Sequence, residues 1–160
     1  SAYNLARWLT RNDHDAEDVV QDALLRAYRF SEGLRGEPRP WLLAIVRNTC
    51  FTWLQANRPG DLARLDAEGA QEPVSEADGP EALAARELDR RLLNEAIAVL
   101  PAQFREVLVL RELEDLSYKE IARVIDAPIG TVMSRLSRAR RLLADSMRVI
   151  TRAARPQVHE

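Results

Sequence analysis

An all-α fold is predicted for this 160-residue chain by three features. Gly and Pro are few (6 and 8) while Ala, Leu, Arg and Glu abound, a composition that favours helices over turn-rich sheets. Apolar residues recur three and four apart in segment after segment, the period of a half-buried helix. Ser117 and Glu120 have the S-x-x-E spacing of a capping box ahead of another such segment. The longest apolar run, Trp41 to Val46, is far short of the roughly 20 residues that cross a bilayer, so no membrane insertion is expected.

The first helix is predicted at the very start, on Ala2, Leu5, Ala6 and Leu9. No basic start with an apolar centre precedes it, so no signal peptide is read, and without an initiator Met part of this helix is expected to lie upstream. Asp15 is expected to cap a second helix with Val19, Val20, Ala23, Leu24, Ala27 and Tyr28 inward and Glu17, Asp18, Gln21, Asp22 and Arg26 outward. After a break at Arg35–Pro40, a third helix is expected from Trp41 to Ala56, with Leu42, Ile45, Val46 and Trp53 on its apolar face.

From 60 to 89 the chain carries nine acidic and two basic side chains, whereas 129–160 carries seven basic and two acidic ones. The net charge of −2 therefore hides an acidic middle and a basic end. Residues 59–80 contain Pro59, Gly60, Gly69, Pro73, Gly79 and Pro80 and no aromatic, so an acidic flexible linker is expected there. Two small helical domains are thus expected, 1–58 and 81–150, with 151–160 as a tail.

In the second domain Pro80 is expected in the first turn of a helix with Leu83, Leu88, Leu92 and Ile97 as one stripe. Pro101 starts the next, with Phe104, Val107 and Leu108 inward. A short helix from Tyr118 to Ile125 stops at Asp126-Ala127-Pro128, and Gly130-Thr131 is expected to cap a last one. Its residues Val132, Leu136, Ala139 and Leu143 share a face. Ser134, Ser137, Arg138 and Arg141 point away, with Met133 and Arg135 on the flanks. A short helix, a tight turn and a second helix with hydroxyls and guanidinium groups outward is the helix-turn-helix pattern, suited to a major groove. From spacing alone, a helical hairpin with a merely solvated Arg face is the competing reading.

The motifs carry a resemblance. Asp15–Tyr28 (DAEDVVQDALLRAY) resembles conserved region 2 of bacterial sigma factors, and Pro40–Asn48 (PWLLAIVRN) resembles its promoter-melting end. Leu100–Val107 (LPAQFREV), Tyr118–Ala122 (YKEIA) and Ile129–Arg140 (IGTVMSRLSRAR) resemble region 4. With these two regions alone, the chain is similar to the extracytoplasmic-function (ECF) sigma factors.

The resemblance implies partners and residues. Asp18, Gln21, Asp22 and Leu25 would dock on the β′ clamp helices of core RNA polymerase, and region 4 on the β flap. Arg47, Asn48, Phe51 and Arg58 would meet the −10 promoter element as its strands part. Thr131, Met133, Ser134, Arg135, Ser137, Arg138 and Arg141 would serve the −35 element. Met133 stands where many relatives have Arg, which favours apolar contact over hydrogen-bond readout. Thr52 replaces a common Asp, and Gln55 and Ala56 replace basic residues, so the melting end is less basic than usual. The acidic linker suits a basic polymerase cleft, and the free chain is expected to bind duplex weakly because few cations displace counterions. An anti-sigma factor, gripping or wedging the lobes, is the expected control, and the free protein is expected to be a monomer.

Other classes find less support. His14 and His159 are the only histidines and neither has a ligand-spaced partner, so no metal or cofactor is expected. No phosphate loop or nucleophile elbow occurs, so the chain is not expected to be an enzyme. Cys50 is the single cysteine, in keeping with a reducing cytoplasmic location. The alternatives are a free-standing helix-turn-helix regulator, which leaves Asp15–Tyr28 unexplained, and a sigma mimic that never touches DNA.

Overall fold

The computed structural model describes residues 1–62 and 83–154, with side chains in the second stretch from 87 to 153. Seven α-helices and no strand occur among the described residues: α1 (Ala2–Thr10), α2 (Asp13–Arg29), α3 (Pro38–Asn57), α4 (Leu83–Ala98), α5 (Ala102–Leu108), α6 (Tyr118–Ile125) and α7 (Ile129–Ala154). The linker expected at 59–80 lies, from residue 63 on, outside the described residues, as does Pro80, expected in the first turn of the next helix. Its first residues, Pro59–Asp61, form one 3₁₀ turn, and α7 runs through the expected boundary at 150 to Ala154.

Several boundaries differ from those expected, for local reasons. Asn12, in extended geometry, caps α2 by accepting the Asp15 amide at 3.0 Å, so Asp15 sits inside the first turn rather than at the cap. There its carboxylate and that of Asp13 still favour the positive helix end. α3 starts at Pro38 instead of Trp41, because Pro38 and Pro40 occupy the first turn, where no amide donor is needed. In α7 the Pro128 carbonyl accepts the Thr131 and Val132 amides. Gly130 and Thr131 therefore lie within the first turn, not at its cap.

The faces also shift. α2 buries Ala16, Val19, Ala23 and Ala27, small residues that bring it close to α1 and α3. Leu24 and Tyr28, expected inward, are 49% and 81% exposed, because they lie well round the helix from that stripe. α3 fully buries Leu43, Val46, Cys50 and Leu54, with Leu42, Ile45 and Trp53 packed at the edge. In α4, Leu92, Ala96 and Ile97 are buried while Leu88 is half exposed. Steps of five residues turn a side chain by about 140°, so the expected stripe is not one face. Phe104, Val107 and Leu108 are inward as expected.

α6 is closed at both ends by its own residues. Ser117 Oγ accepts the Glu120 amide at 3.1 Å and Glu120 accepts the Ser117 amide at 3.0 Å, a complete capping box. Asp126, at φ 53, turns the chain through the left-handed region and ends the helix. Val132, Leu136 and Ala139 of α7 pack under it, with Leu143 at the edge.

The two helical groups do not stand apart. α3 packs on α6 and α1 on α5, and one continuous core runs from Leu5 and Leu9 through Val46 and Cys50 to Phe104 and Ile121. α5 is buried on every side, so Arg105 and Glu106 are fully enclosed. Arg105 donates to the carbonyls of Leu100 (2.6 Å) and, across the seam, Leu9 (3.0 Å). Burial and the nearby Arg11 push its guanidinium down to about 10, still charged at neutral pH. Arg11 donates back to the Ala98 carbonyl at 2.8 Å. Replacing Ser117 by Ala removes the hydroxyl half of the capping box, and a loss of about 1 kcal/mol in a urea titration is expected.

Candidate nucleic-acid interface

Each residue group marked in the sequence has a defined place. On α2, Asp18, Gln21, Asp22 and Leu25 share one exposed arc opposite the alanine stripe. Asp18 lies 3.6 Å from His14, and Asp22 3.3 Å from Arg26, pairs too exposed to hold either carboxylate firmly. Leu25 within this arc is 64% exposed, and Leu24, Tyr28 and Phe30 beside it are 49%, 81% and 64% exposed. A polar, acidic arc flanked by uncovered apolar side chains has the chemistry to receive another protein. Leu24, Tyr28 and Phe30 escape sequence reasoning because any apolar residue near helical spacing is first assigned to the core.

The four residues expected to meet the −10 element divide. Arg47, Asn48 and Phe51 sit together on α3. The Arg47 guanidinium lies 3.9 Å from the Phe51 ring centre, and its Nη1 donates to Asn48 Oδ1 at 3.3 Å. Its Nε and Nη2 donate to Oε2 and Oε1 of Glu106 at 2.8 and 3.0 Å, a bidentate pair across the seam. Arg58 lies apart, at the end of α3. It donates to the Thr10 carbonyl, stands 3.6 Å from Asp15 and covers the Trp53 ring at 5.1 Å. In this position it ties the ends of α1 and α3 together.

The −35 set clusters on α7 as the spacing predicts. Met133, Ser134, Ser137 and Arg141 are exposed, and Thr131, Arg135 and Arg138 are half-buried. Thr131, Ser134, Arg135 and Arg138 line an open depression of about 300 Å³ floored by Phe104, over whose ring the Arg138 guanidinium lies at 5.2 Å. Arg141 donates to Ser137 Oγ at 3.3 Å, which joins the guanidinium and hydroxyl rows. Arg140 is turned away toward Glu112 at 3.0 Å. Met133 is 54% exposed on the same helix and offers an apolar contact.

The comparisons follow this division. Residues 1–59 match the family described as Sigma-70 region 2, and residues 90–143 match Sigma-70, region 4. The chain is 37% identical over 146 residues to the ECF RNA polymerase sigma-E factor of Escherichia coli K12, covering 86% of this chain and 76% of that protein. It belongs to the ECF RNA polymerase sigma factors. The Haemophilus influenzae sigma-E factor is 38% identical over 152 residues, 89% of this chain and 79% of that one. Among solved structures, the sigma factor RpoE from Bartonella quintana, crystallised with the anti-sigma factor NepR, aligns with a TM-score of 0.66 at 25% identity, covering 92% and 90% of the two chains. CnrH, solved with the cytosolic domain of CnrY, shares the fold with a TM-score of 0.64 at 23% identity, covering 92% and 80%.

In this sigma factor the seam partners Glu106, Glu114 and Arg39 were not marked by the sequence. Arg39 donates to the carbonyl and Oε2 of Glu114 at 2.8 and 2.9 Å, and Asn4 donates to Glu114 Oε1 at 2.7 Å. Burial pushes the Glu114 carboxyl up, but hydrogen bonds from Asn4, Ser1 and Arg39 outweigh it and hold the group below its ordinary 4.5. Glu106 goes the other way: complete burial raises it against the opposing pull of Arg47, Arg135 and Arg105. Cys50, enclosed beside this pair, has its thiol pushed up to about 12 by burial and by Glu106, so it is inert rather than a nucleophile. No cluster of three or more metal-ligating side chains occurs among the described residues. The two glutamates predict opposite pH slopes. The stability that depressed Glu114 contributes is complete above 4.5 and is lost as pH falls below it. Glu114→Gln should therefore flatten the acid limb of a plot of urea midpoint against pH, with the neutral midpoint lowered.

Proposed function

We propose that this ECF sigma factor forms holoenzyme through the exposed α2 face and reads promoter DNA with residues of α3 and α7, so that it directs promoter-specific initiation. Asp18, Gln21, Asp22 and Leu25 meet the β′ clamp helices, where an acidic arc suits a basic partner, and the uncovered Leu24, Tyr28 and Phe30 add apolar contact. Asn48 supplies amide donors and acceptors to a base leaving the stack, and Phe51 with Arg47 supplies a stacking surface and a cation. On the upstream side Thr131 donates to a phosphate near the start of α7. Met133, Ser134, Ser137 and Arg138 face base edges, and Arg135 and Arg141 neutralise backbone charge. Arg58 acts through α3, whose end it fixes.

The observation that carries this reading is the coexistence, in one chain, of an exposed acidic–apolar face on α2 and an exposed hydroxyl–guanidinium face on α7, each backed by its own buried stripe. A stand-alone regulator needs only the second. Control by an anti-sigma factor fits the relatives solved as complexes with NepR and CnrY. The work is done by binding, with no reaction catalysed. It takes place in the cytoplasm, and no described helix is long and apolar enough to cross a membrane.

The deciding experiment is run-off transcription by purified core polymerase with and without this chain, on fragments of its source genome. Specific transcripts are expected only with the chain present, and their absence would remove the proposal. Asp18→Lys combined with Gln21→Lys should abolish the holoenzyme peak on gel filtration while the helical circular dichroism spectrum persists. Arg138→Ala should cut initiation at −35-dependent promoters by about tenfold, the scale of one lost bidentate base or phosphate contact. Undiminished output would take Arg138 out of the interface.

A further inference from the structure

The second helix of a helix-turn-helix brings the side chains of its first turns against base edges in the major groove. In α7 those turns are chemically divided. Val132 and Leu136 face the core, and the helical period sets Thr131, Arg135 and Arg138 on one flank of the outward face, beside Phe104. The opposite flank carries Ile129 and Met133, one turn apart and 45% and 54% exposed. Half-buried Ala127 and exposed Pro128 extend this apolar edge into the turn before the helix. Ser137 and Arg141 continue the row at further steps of four, joined by their own hydrogen bond. The row therefore changes from apolar to polar along the helix. Ser134, the hydroxyl next to Met133 in the chain, donates to the Thr131 carbonyl at 3.1 Å, so its proton is engaged within the helix.

We propose that Ile129 and Met133 form a methyl-reading edge that selects thymine in the −35 element. Every base pair shows hydrogen-bonding groups in the major groove, but the only apolar group there is the 5-methyl of thymine. An isoleucine and a thioether offer no donor to a phosphate or to a base oxygen, so what this flank can recognise is that methyl. The opposite flank, with its hydroxyl and two guanidinium groups, has the donors that backbone phosphates need. Two neighbouring side chains close over a methyl from both sides and exclude water from it. The unbranched Met133 adjusts its torsions to the contact, while Ile129 is stiff at χ1. Selection at this base pair thus rests on shape and burial rather than on a hydrogen bond. The inference rests on the reading of α7 as the −35 helix and adds the base, the group on that base, and Ile129 as a second residue that reads it.

The test uses holoenzyme and a fluorescent promoter fragment chosen from those that run-off transcription identifies. Deoxyuridine, which differs from thymine by the methyl alone, replaces each −35 thymine in turn on both strands, and affinity is read by anisotropy. Replacement at one or two adjacent positions should weaken binding about fourfold, the scale of one apolar carbon returned to water, with the other positions unaffected. At a sensitive position 5-methylcytosine should bind about fourfold better than cytosine, because it restores the methyl without the thymine O4. Met133→Ser combined with Ile129→Ser, both at exposed positions, should keep the holoenzyme peak and bind the thymine and uracil fragments equally. Indifference of the wild type to every replacement would overturn the methyl-reading edge. So would a uracil penalty that persists in the double variant, or a 5-methylcytosine fragment no better than cytosine. Absence of any specific fragment from the run-off reaction would instead overturn the sigma-factor reading, and this inference with it.

Discussion

The structure is organised around a carboxylate removed entirely from water. Glu106 sits on a helix buried on all sides, and its charge is tolerated there because Arg47 supplies two donors in a planar fork while Arg105 and Arg135 contribute positive potential. Desolvation nevertheless outweighs those cations and raises the group, so the pair is not a simple source of stability. A buried pair of this kind specifies geometry: the carboxylate is satisfied only if α3 and α5 meet at one register. Burial of Cys50, the orientation of Arg47 and the closeness of the two helical groups all follow from that meeting.

Around this pair the seam is stitched by contacts of a different kind. Arg105 and Arg11 donate across it to carbonyls at the ends of helices, Leu9 at the end of α1 and Ala98 at the end of α4. Carbonyls at helix ends lack partners within their own helix and carry the negative end of the dipole, so guanidinium groups are natural partners for them. Arg58 does the same for Thr10 within the first group. Three arginines that would count as DNA-binding charge in a tally of the sequence are thus used to close the ends of helices.

The surfaces that remain open are specialised by what lies beneath them. α2 rests on a stripe of alanines and one valine, which leaves its larger side chains no inward pocket, and Leu24, Leu25 and Tyr28 are left on the outside. α7 rests on Val132, Leu136 and Ala139 and turns its hydroxyls and guanidinium groups outward, with Phe104 as a floor for Arg138. In the function proposed above, one of these faces meets a protein and the other meets DNA.

Helix content, the capping box at Ser117, the helix-turn-helix and the outward face of α7 were determined by the sequence alone, because each depends on residues within a few positions of one another and on the period of 3.6. Motif resemblance added the family and its two regions. The outward turn of Leu24 and Tyr28, the diversion of Arg58 to Thr10 and the capture of Arg47 by Glu106 were decided only by the tertiary structure. Each depends on a neighbour distant in the chain, and at the level of sequence an apolar residue reads as core and an arginine as available charge. Burial sets what a side chain can still offer, and burial is a property of the packed chain.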